Sequence, residues 1–278
     1  MTSLTAILFY FLRDRPELDQ LTTDRDAPAG LQKLARLPGS ISESSGVEFL
    51  TQKKQYITHN DAGNKASLYQ LDAKGTIVET YKLNVPNVDW EDLTRDDDGN
   101  LYIADTGNND NRRKELAIYK VSVDDMTQAE AIRFVYEDQK EFPPAKKDRN
   151  FDSEALFWHD GQLYVVTKDR GQGKNANIYT VPDKPGTYKA KLVGTARING
   201  QVTGAAISPD GNLVAVLEEE KIHLFFDFDN VATFYKGTTR ELNLTGAGQT
   251  EAVAFEDNGS LIITSEGGSL YRYNINLK

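Results

Sequence analysis

Three glutamates stand at one register of a repeated pattern. The short motifs SGVEF (from Ser45), WEDLT (from Trp90), SEALF (from Ser153), TGAAIS (from Thr203) and TEAVAF (from Thr250) recur along the chain. Their second positions are Gly46, Glu91, Glu154, Gly204 and Glu251, with Glu43, Asp89, Asp152 and Gln249 just upstream. Carboxylates gathered round one axis repel each other unless they are protonated, solvated or bound to a cation. A hard cation relieves the repulsion, and calcium takes roughly 6–8 oxygen ligands in loose geometry. Glu91, Glu154 and Glu251 are therefore the candidate metal ligands, with calcium the candidate ion. A second reading stays open: the glutamates accept backbone amides from neighbouring units and hold the ring together.

A second set of polar residues falls where each unit's next strand ends. It comprises His59, Asn60 and Asp61; Asp105 with Asn108 and Asn109; Lys168 and Asp169; Glu218; and Ser265 with Glu266. Asp105 and His59 are candidate general bases, and Lys168 is a candidate stabiliser of developing negative charge. Asn60, Asn108, Arg112 and Glu266 are candidate ligand-binding residues. Arg112 and Arg113 with Lys168 and Arg170 could meet an anionic substrate, or could be solvated loop charges. His159 falls in a turn on the opposite face and His223 in mid-strand, so neither joins the site. Trp90, beside Glu91, is expected to pack between units.

These residues need a scaffold that brings distant segments to one axis, and the repeats supply it. Each first strand is followed by a second (QYITHND, NLYIADTG, QLYVVTKD, NLVAVLEE, SLIITSEG) and a third (SLYQLD, LAIYKV, NIYTVP, IHLFFDF, SLYRYNI). Weaker fourth strands follow in the first four units: TIVETYKL, AIRFVYED, YKAKLVGTA and TRELNL. Asp98-Gly99, Asp160-Gly161, Asp210-Gly211 and Asn258-Gly259 separate first from second strands, as tight hairpin turns require. Asp96-Asp97-Asp98-Gly99 looks like a calcium loop but lacks its downstream glutamate, and reads as a turn. Four antiparallel strands repeating at this period predict an all-β fold, a β-propeller of five four-stranded blades. Six blades is the alternative, with one hidden in Val121 to Asn150. The last unit stops after its third strand, so Leu31 to Pro38 is expected to close the ring as its outer strand.

Composition narrows the functions. The chain of 278 residues carries a formal charge of −10. That sign argues against nucleic acid and against docking on anionic lipid. With no cysteine and three histidines, thiolate chemistry is excluded and a zinc site is disfavoured.

Leu4 to Leu12 is apolar but too short to cross a bilayer, which takes about 20 residues. It reads as the tail of a longer export or anchor segment, an atypical signal peptide, or a packed terminal element. Residues 1–30 are expected to be this segment and a linker, and 31–278 a single propeller domain. Any membrane contact would come through that N-terminal anchor.

The motifs SESSGVEF, THNDAGN, NVDWEDL, LYIADTGNN, DSEALF and TEAVAFEDNGSLIITSEGGSLYRY resemble bacterial envelope propellers of the SdiA-regulated type. They also resemble the related phytase-like propellers with esterase-like activity. The first resemblance implies a periplasmic, cell-surface or secreted protein without a settled activity. The second implies a calcium-supported hydrolase of ester or phosphoester bonds, and related calcium-dependent phosphotriesterases and lactonases place acidic and Asn ligands at the channel centre. Glu91, Glu154 and Glu251, with Asn108 or Asn60, match that pattern in kind, whereas Gly46 and Gly204 depart from a full ring. The expectation is a monomer that takes a small-molecule or envelope ligand at the channel mouth. Hydrolase, binding module and assembly scaffold all remain open.

Overall fold

The structure, a computed structural model, describes residues 28–276. The apolar N-terminal stretch lies outside the described residues. The first unit consists of β2 (Ser44–Leu50), β3 (Gln55–Asn60), β4 (Ser67–Leu71) and β5 (Ile77–Lys82). The second holds β6 (Trp90–Arg95), β7 (Leu101–Asp105), β8 (Leu116–Ser122) and β9 (Asp125–Tyr136). The third holds β10 (Asp152–His159), β11 (Gln162–Lys168), β12 (Asn175–Pro182) and β13 (Gly186–Arg197). The fourth holds β14 (Val202–Ile207), β15 (Val214–Glu218), β16 (Lys221–Phe226) and β17 (Thr238–Asn243). In the last, β18 (Thr250–Asp257), β19 (Ser260–Ser265) and β20 (Ser269–Asn274) are completed by β1 (Leu31–Arg36) from the other end of the chain.

Strands within a unit pair antiparallel, in sequence order. The expected closure is present: β1 runs antiparallel to β20, Leu31 opposite Tyr273 and Arg36 opposite Ser269. The second and third units are also joined, because β9 and β13 pair in parallel from Ile132–Gly186 to Tyr136–Ala190. Their eight strands thus form one sheet beside three sheets of four. Val121–Asn150, where a further unit could have been hidden, holds the end of β8, β9 and a short 3-10 turn at Lys146–Asp148.

The first strands touch in succession, β2 with β6, β10, β14 and β18, and β18 returns to β2. They are buried almost throughout, whereas the outer strands β5 and β17 are largely exposed. Between each pair of successive units lies an apolar cluster, such as Tyr102, Ile118 and Phe134 against Leu156, Leu163 and Tyr179. Each such side chain contributes about 1.5–3 kcal/mol by leaving water, so the circle of clusters holds the units at fixed angles. This is the architecture of a β-propeller. No helix among the described residues is long and apolar enough to cross a membrane.

The turns follow their residue types. Gly99, Gly161 and Gly211 take left-handed φ values of 85°, 74° and 72°. In the last unit the Asp257 carboxylate instead accepts the Gly259 amide and the Ser260 hydroxyl, each at 2.8 Å. Asp96 caps its own turn, accepting the Asn100 amide and the Tyr102 hydroxyl, with Lys120 at 3.5 Å.

Candidate metal centre at the mouth of the ring

In all five first strands the pairing with the second strand slips by one residue near the start. The residues left over are Ser45, Glu91, Glu154, Thr203 and Glu251. Such bulges re-aim a side chain out of the ladder. The sequence pattern placed Gly46 and Gly204 in this ring. The bulge shifts the frame, so Ser45 and Thr203 occupy the equivalent positions and every member of the ring carries an oxygen. The glycines stand one residue on, at the register of Asp92. A Cβ on Gly46 would come within 2.7 Å of the Leu93 amide nitrogen, and would also collide with the His59 ring.

Four of the bulged residues, Ser45, Glu91, Glu154 and Glu251, line a cavity of about 180 Å³. Glu43, Asp61, Glu266, Gln249, Asn109, Lys168 and Arg170 complete its wall. At about 30 Å³ each, some six waters would fill it, and drug-sized ligands need roughly 300 Å³ or more. The space suits a hydrated ion or one small polar group.

The charges in this wall are unevenly satisfied. On one side Lys168 donates to Glu154, and Arg170 reaches Asp152 at 2.6 Å as well as Glu154 and Asn109. On the other side stand Asp61, Asp89 and Glu91, and no cationic side chain forms an ion pair with any of them among the described residues. One carboxylate oxygen from each of Asp61, Asp89 and Glu91 lies within 4.8 Å of the others, and the same holds for Glu91, Asp152 and Glu154. Glu91, shared by both groups, is only 6 % exposed and lines the cavity, yet its carboxylate receives no hydrogen bond among the described residues. Burial, and then the charges of Glu154, Asp61, Asp152 and Asp89, push its pKa well above the usual carboxylate range. Burial and the neighbouring acids likewise raise Asp89, to about 6. Glu154 is pushed up by burial and by Asp152, against the pull of Lys168 and Arg170.

The loop after β7 shapes this side. Gly107 packs on Glu91 and Asp89 so closely that a Cβ there would overlap both carboxylates. Its amide donates to the Asp89 carbonyl at 3.1 Å. Arg113 fastens the loop from beneath, donating to the Gly107 carbonyl at 2.7 Å and to the Asp105 carboxylate at 2.9 Å.

Of the residues singled out from sequence, Glu91, Glu154, Glu251, Lys168 and Glu266 all line the cavity. Glu251 stands outside both acidic groups and accepts from Gln249 at 2.8 Å. Glu43, Asp61, Asn109, Arg170 and Gln249 line the cavity too, and most of the remaining residues serve the framework. Asp105 is fully buried and accepts the amides of Val88 and Asp89 besides Arg113. His59 is also fully buried, edge-on to Trp90 at 5.4 Å, and burial lowers its pKa to about 4. Asn60 ties the Glu43 amide to the Ser40 carbonyl. Asn108 links the Asp152 carboxylate, the Phe151 carbonyl and the Arg113 amide. Arg112 is exposed, 3.8 Å from Asp110. Trp90 lies in the apolar cluster between the first two units. His223 bonds Glu218 at 2.6 Å.

The role that sequence reasoning offered to the glutamates belongs to Asp92. Fully buried inside the ring, it accepts the Leu156 amide at 2.8 Å, the Ala205 amide at 3.2 Å and that of Leu93 at 2.8 Å. It thereby joins the second unit to the third and fourth. The signal was present in the sequence: at this register the other four units carry Gly46, Ala155, Gly204 and Ala252, which leave room for one larger side chain.

No protein-family profile matches the chain, and no curated protein matches it. Many solved structures are similar. They include the β-propeller domain of Swd1 from Myceliophteria thermophila, at 11 % identity and TM-score 0.45, over 84 % of this chain and 97 % of that one. A provisionally assigned gluconolactonase gives 13 % identity and TM-score 0.49, over 89 % and 93 %. An inactive virginiamycin B lyase variant from Staphylococcus aureus, solved with quinupristin, gives 13 % identity and TM-score 0.44, over 86 % and 69 %. Likenesses this distant extend to the propeller fold and carry nothing about chemistry.

Proposed function

We propose that five blades surround a divalent-cation site, with calcium the ion, and that the bound ion presents itself to a small oxygen-bearing ligand at the mouth of the ring. The observation that carries the reading is Glu91: a buried carboxylate without a hydrogen bond among the described residues, facing a cavity lined by further acids. Leaving such a group unpaired is costly, and a cation is the partner its neighbours suit. Asp61, Asp89 and Glu91 would hold the ion. Their carboxylate oxygens lie close enough together to share one ion, and calcium accepts such oxygens in looser geometry than magnesium does. Bound there, the ion would supply positive charge to polarise a ligand oxygen. Lys168 and Arg170, already neutralising Glu154 and Asp152, would keep the far wall in place.

The structural reading of the acidic ring is less favoured, because Asp92 already carries the bonds between units that it requires. Ester or phosphoester hydrolysis, which the resemblance to phytase-like propellers implies, has less support than binding: Asp105 and His59, its expected bases, do not line the cavity. An envelope or secreted location accords with a site of this type, since extracellular calcium modules work at roughly millimolar concentration.

Calorimetric titration of the metal-stripped full chain with calcium and with magnesium tests the proposal. Calcium should bind more tightly than magnesium, and Glu91→Gln should weaken calcium at least tenfold. Absence of heat with either ion, in protein that purifies without metal, would overturn it. An ester and phosphoester panel run with calcium decides whether the site also turns over substrate.

A further inference from the structure

A second cavity, of about 510 Å³, lies on the opposite face. Its walls are the β10–β11 turn with His159 and Asp160, the β14–β15 turn with Gly211 and Asn212, and the segment between β16 and β17. That last connection is longer than those between third and fourth strands in the other units. It folds into a 3-10 turn, Val231–Lys236, capped by Asn230, whose side chain accepts the Ala232 amide at 2.7 Å. The turn anchors on the core through Phe234 and leaves Phe228 half-buried at the cavity edge.

Tyr164 makes this cavity more than a gap between loops. Its ring is stacked on Phe157, with centroids 4.7 Å apart and planes 3° from parallel, and the residue is only 5 % exposed. Yet its hydroxyl, on a residue that lines the cavity, has no hydrogen-bond partner among the described residues. It is therefore free to bond a ligand in the cavity. The other polar side chains on the wall are the carboxylates of Asp160 and Asp229, the amides of Gln162, Asn212 and Asn230 and the ring of His159, and the lining contains no lysine or arginine. Two carboxylates without a lysine or arginine weigh against an anion and favour a ligand that donates hydrogen bonds and carries positive charge. The volume falls within the range of small-molecule sites, roughly 300–1,000 Å³.

We propose that this face binds a small hydroxylated cation of the amino-sugar class. The Tyr164 hydroxyl would meet a ligand hydroxyl, Phe228 the apolar face of the ring, and Asp160 and Asp229 the ammonium. The site is independent of the cation centre on the other face.

Saturation-transfer NMR on the full chain in EDTA tests it, with glucosamine, glucose and glucuronate at matched millimolar concentration. Glucosamine should give the strongest signal and glucuronate none. Tyr164→Phe keeps the stacked ring and removes only the hydroxyl, so it should weaken glucosamine at least fivefold. The exposed Asp229→Asn should reduce the preference for glucosamine over glucose. Glu91→Gln should change nothing. No transfer from glucosamine, equal transfer from all three sugars, an unaffected Tyr164→Phe, or loss of binding in Glu91→Gln would each overturn the proposal.

Discussion

Glu91 and Asp92 are consecutive residues of β6 with opposite fates: Glu91 lines the open cavity with no hydrogen bond among the described residues, while Asp92 lies inside the ring bonded to the amides of Leu156 and Ala205. A single bulge separates them. Two adjacent carboxylates thereby divide the work of binding from the work of holding the ring together, and their substitutions should have separable effects.

Removing the charge of Glu91 should cost binding and not folding. Glu91→Gln keeps the shape but relieves a buried, unpaired carboxylate, so its unfolding midpoint in EDTA should equal or exceed that of the parent. Its stabilisation by calcium should vanish. A lower midpoint in EDTA would mean that Glu91 holds the framework.

Asp92 should behave in the reverse way. Asp92→Ala strands the amides of Leu156 and Ala205 in a dry interior, which costs on the order of 3 kcal/mol. At about 2–4 °C per kcal/mol for a chain of this size, the midpoint should fall by roughly 10 °C. Asp92→Asn, which keeps an acceptor, should recover part of the loss. Thermal unfolding of both variants is the check.

Gly107→Ala probes the space rather than the charge. The added methyl would press on Glu91 and Asp89 together. Overpacking typically costs about 1–3 kcal/mol, and displacing two of the three ion-binding carboxylates should weaken calcium at least tenfold. Titration of the folded variant measures this directly.

Without metal the protein should lose stability as pH rises. Glu48, buried beside Arg95, is raised to about 7, Asp89 to about 6, and Glu91 and Asp92 lie well above the usual range, each chiefly through burial. Groups raised on folding keep their protons after the unfolded chain has released its own, near pH 4. The stability they lend is therefore full below that pH and drains away as pH climbs through 6 and 7. Carboxylates lowered on folding, such as Asp169 and Asp210, act only at more acid pH. In EDTA the midpoint should fall from pH 5 to pH 8, and the rise produced by calcium should be larger at pH 8. A flat or rising profile would contradict the burial of these acids.

Much of this was legible in the sequence. Strand motifs and Asp-Gly turns fixed the order of the strands, and the missing fourth strand of the last unit pointed to Leu31–Arg36. The glutamates at one register were visible as well. The one-residue bulges were not, because no residue type marks them, and so Ser45 and Thr203 were passed over for Gly46 and Gly204. Polar residues at strand ends were read as facing the mouth, but Asp105 and His59 are sealed by the loop and strand that cover them. The parallel pairing of β9 with β13 left no trace, since β9 and β13 read as ordinary outer strands.

The most direct test of the cation site is the thermal unfolding midpoint of the metal-stripped protein, measured in EDTA, in millimolar calcium and in millimolar magnesium, for the parent and for Glu91→Gln. Calcium at about 100 times its dissociation constant adds roughly 2.7 kcal/mol. In a domain of this size that corresponds to about 5 °C or more. The expected result is a rise of that size with calcium, a smaller one with magnesium and none in the variant. An identical midpoint in all three solutions, or a calcium shift that survives Glu91→Gln, would contradict it.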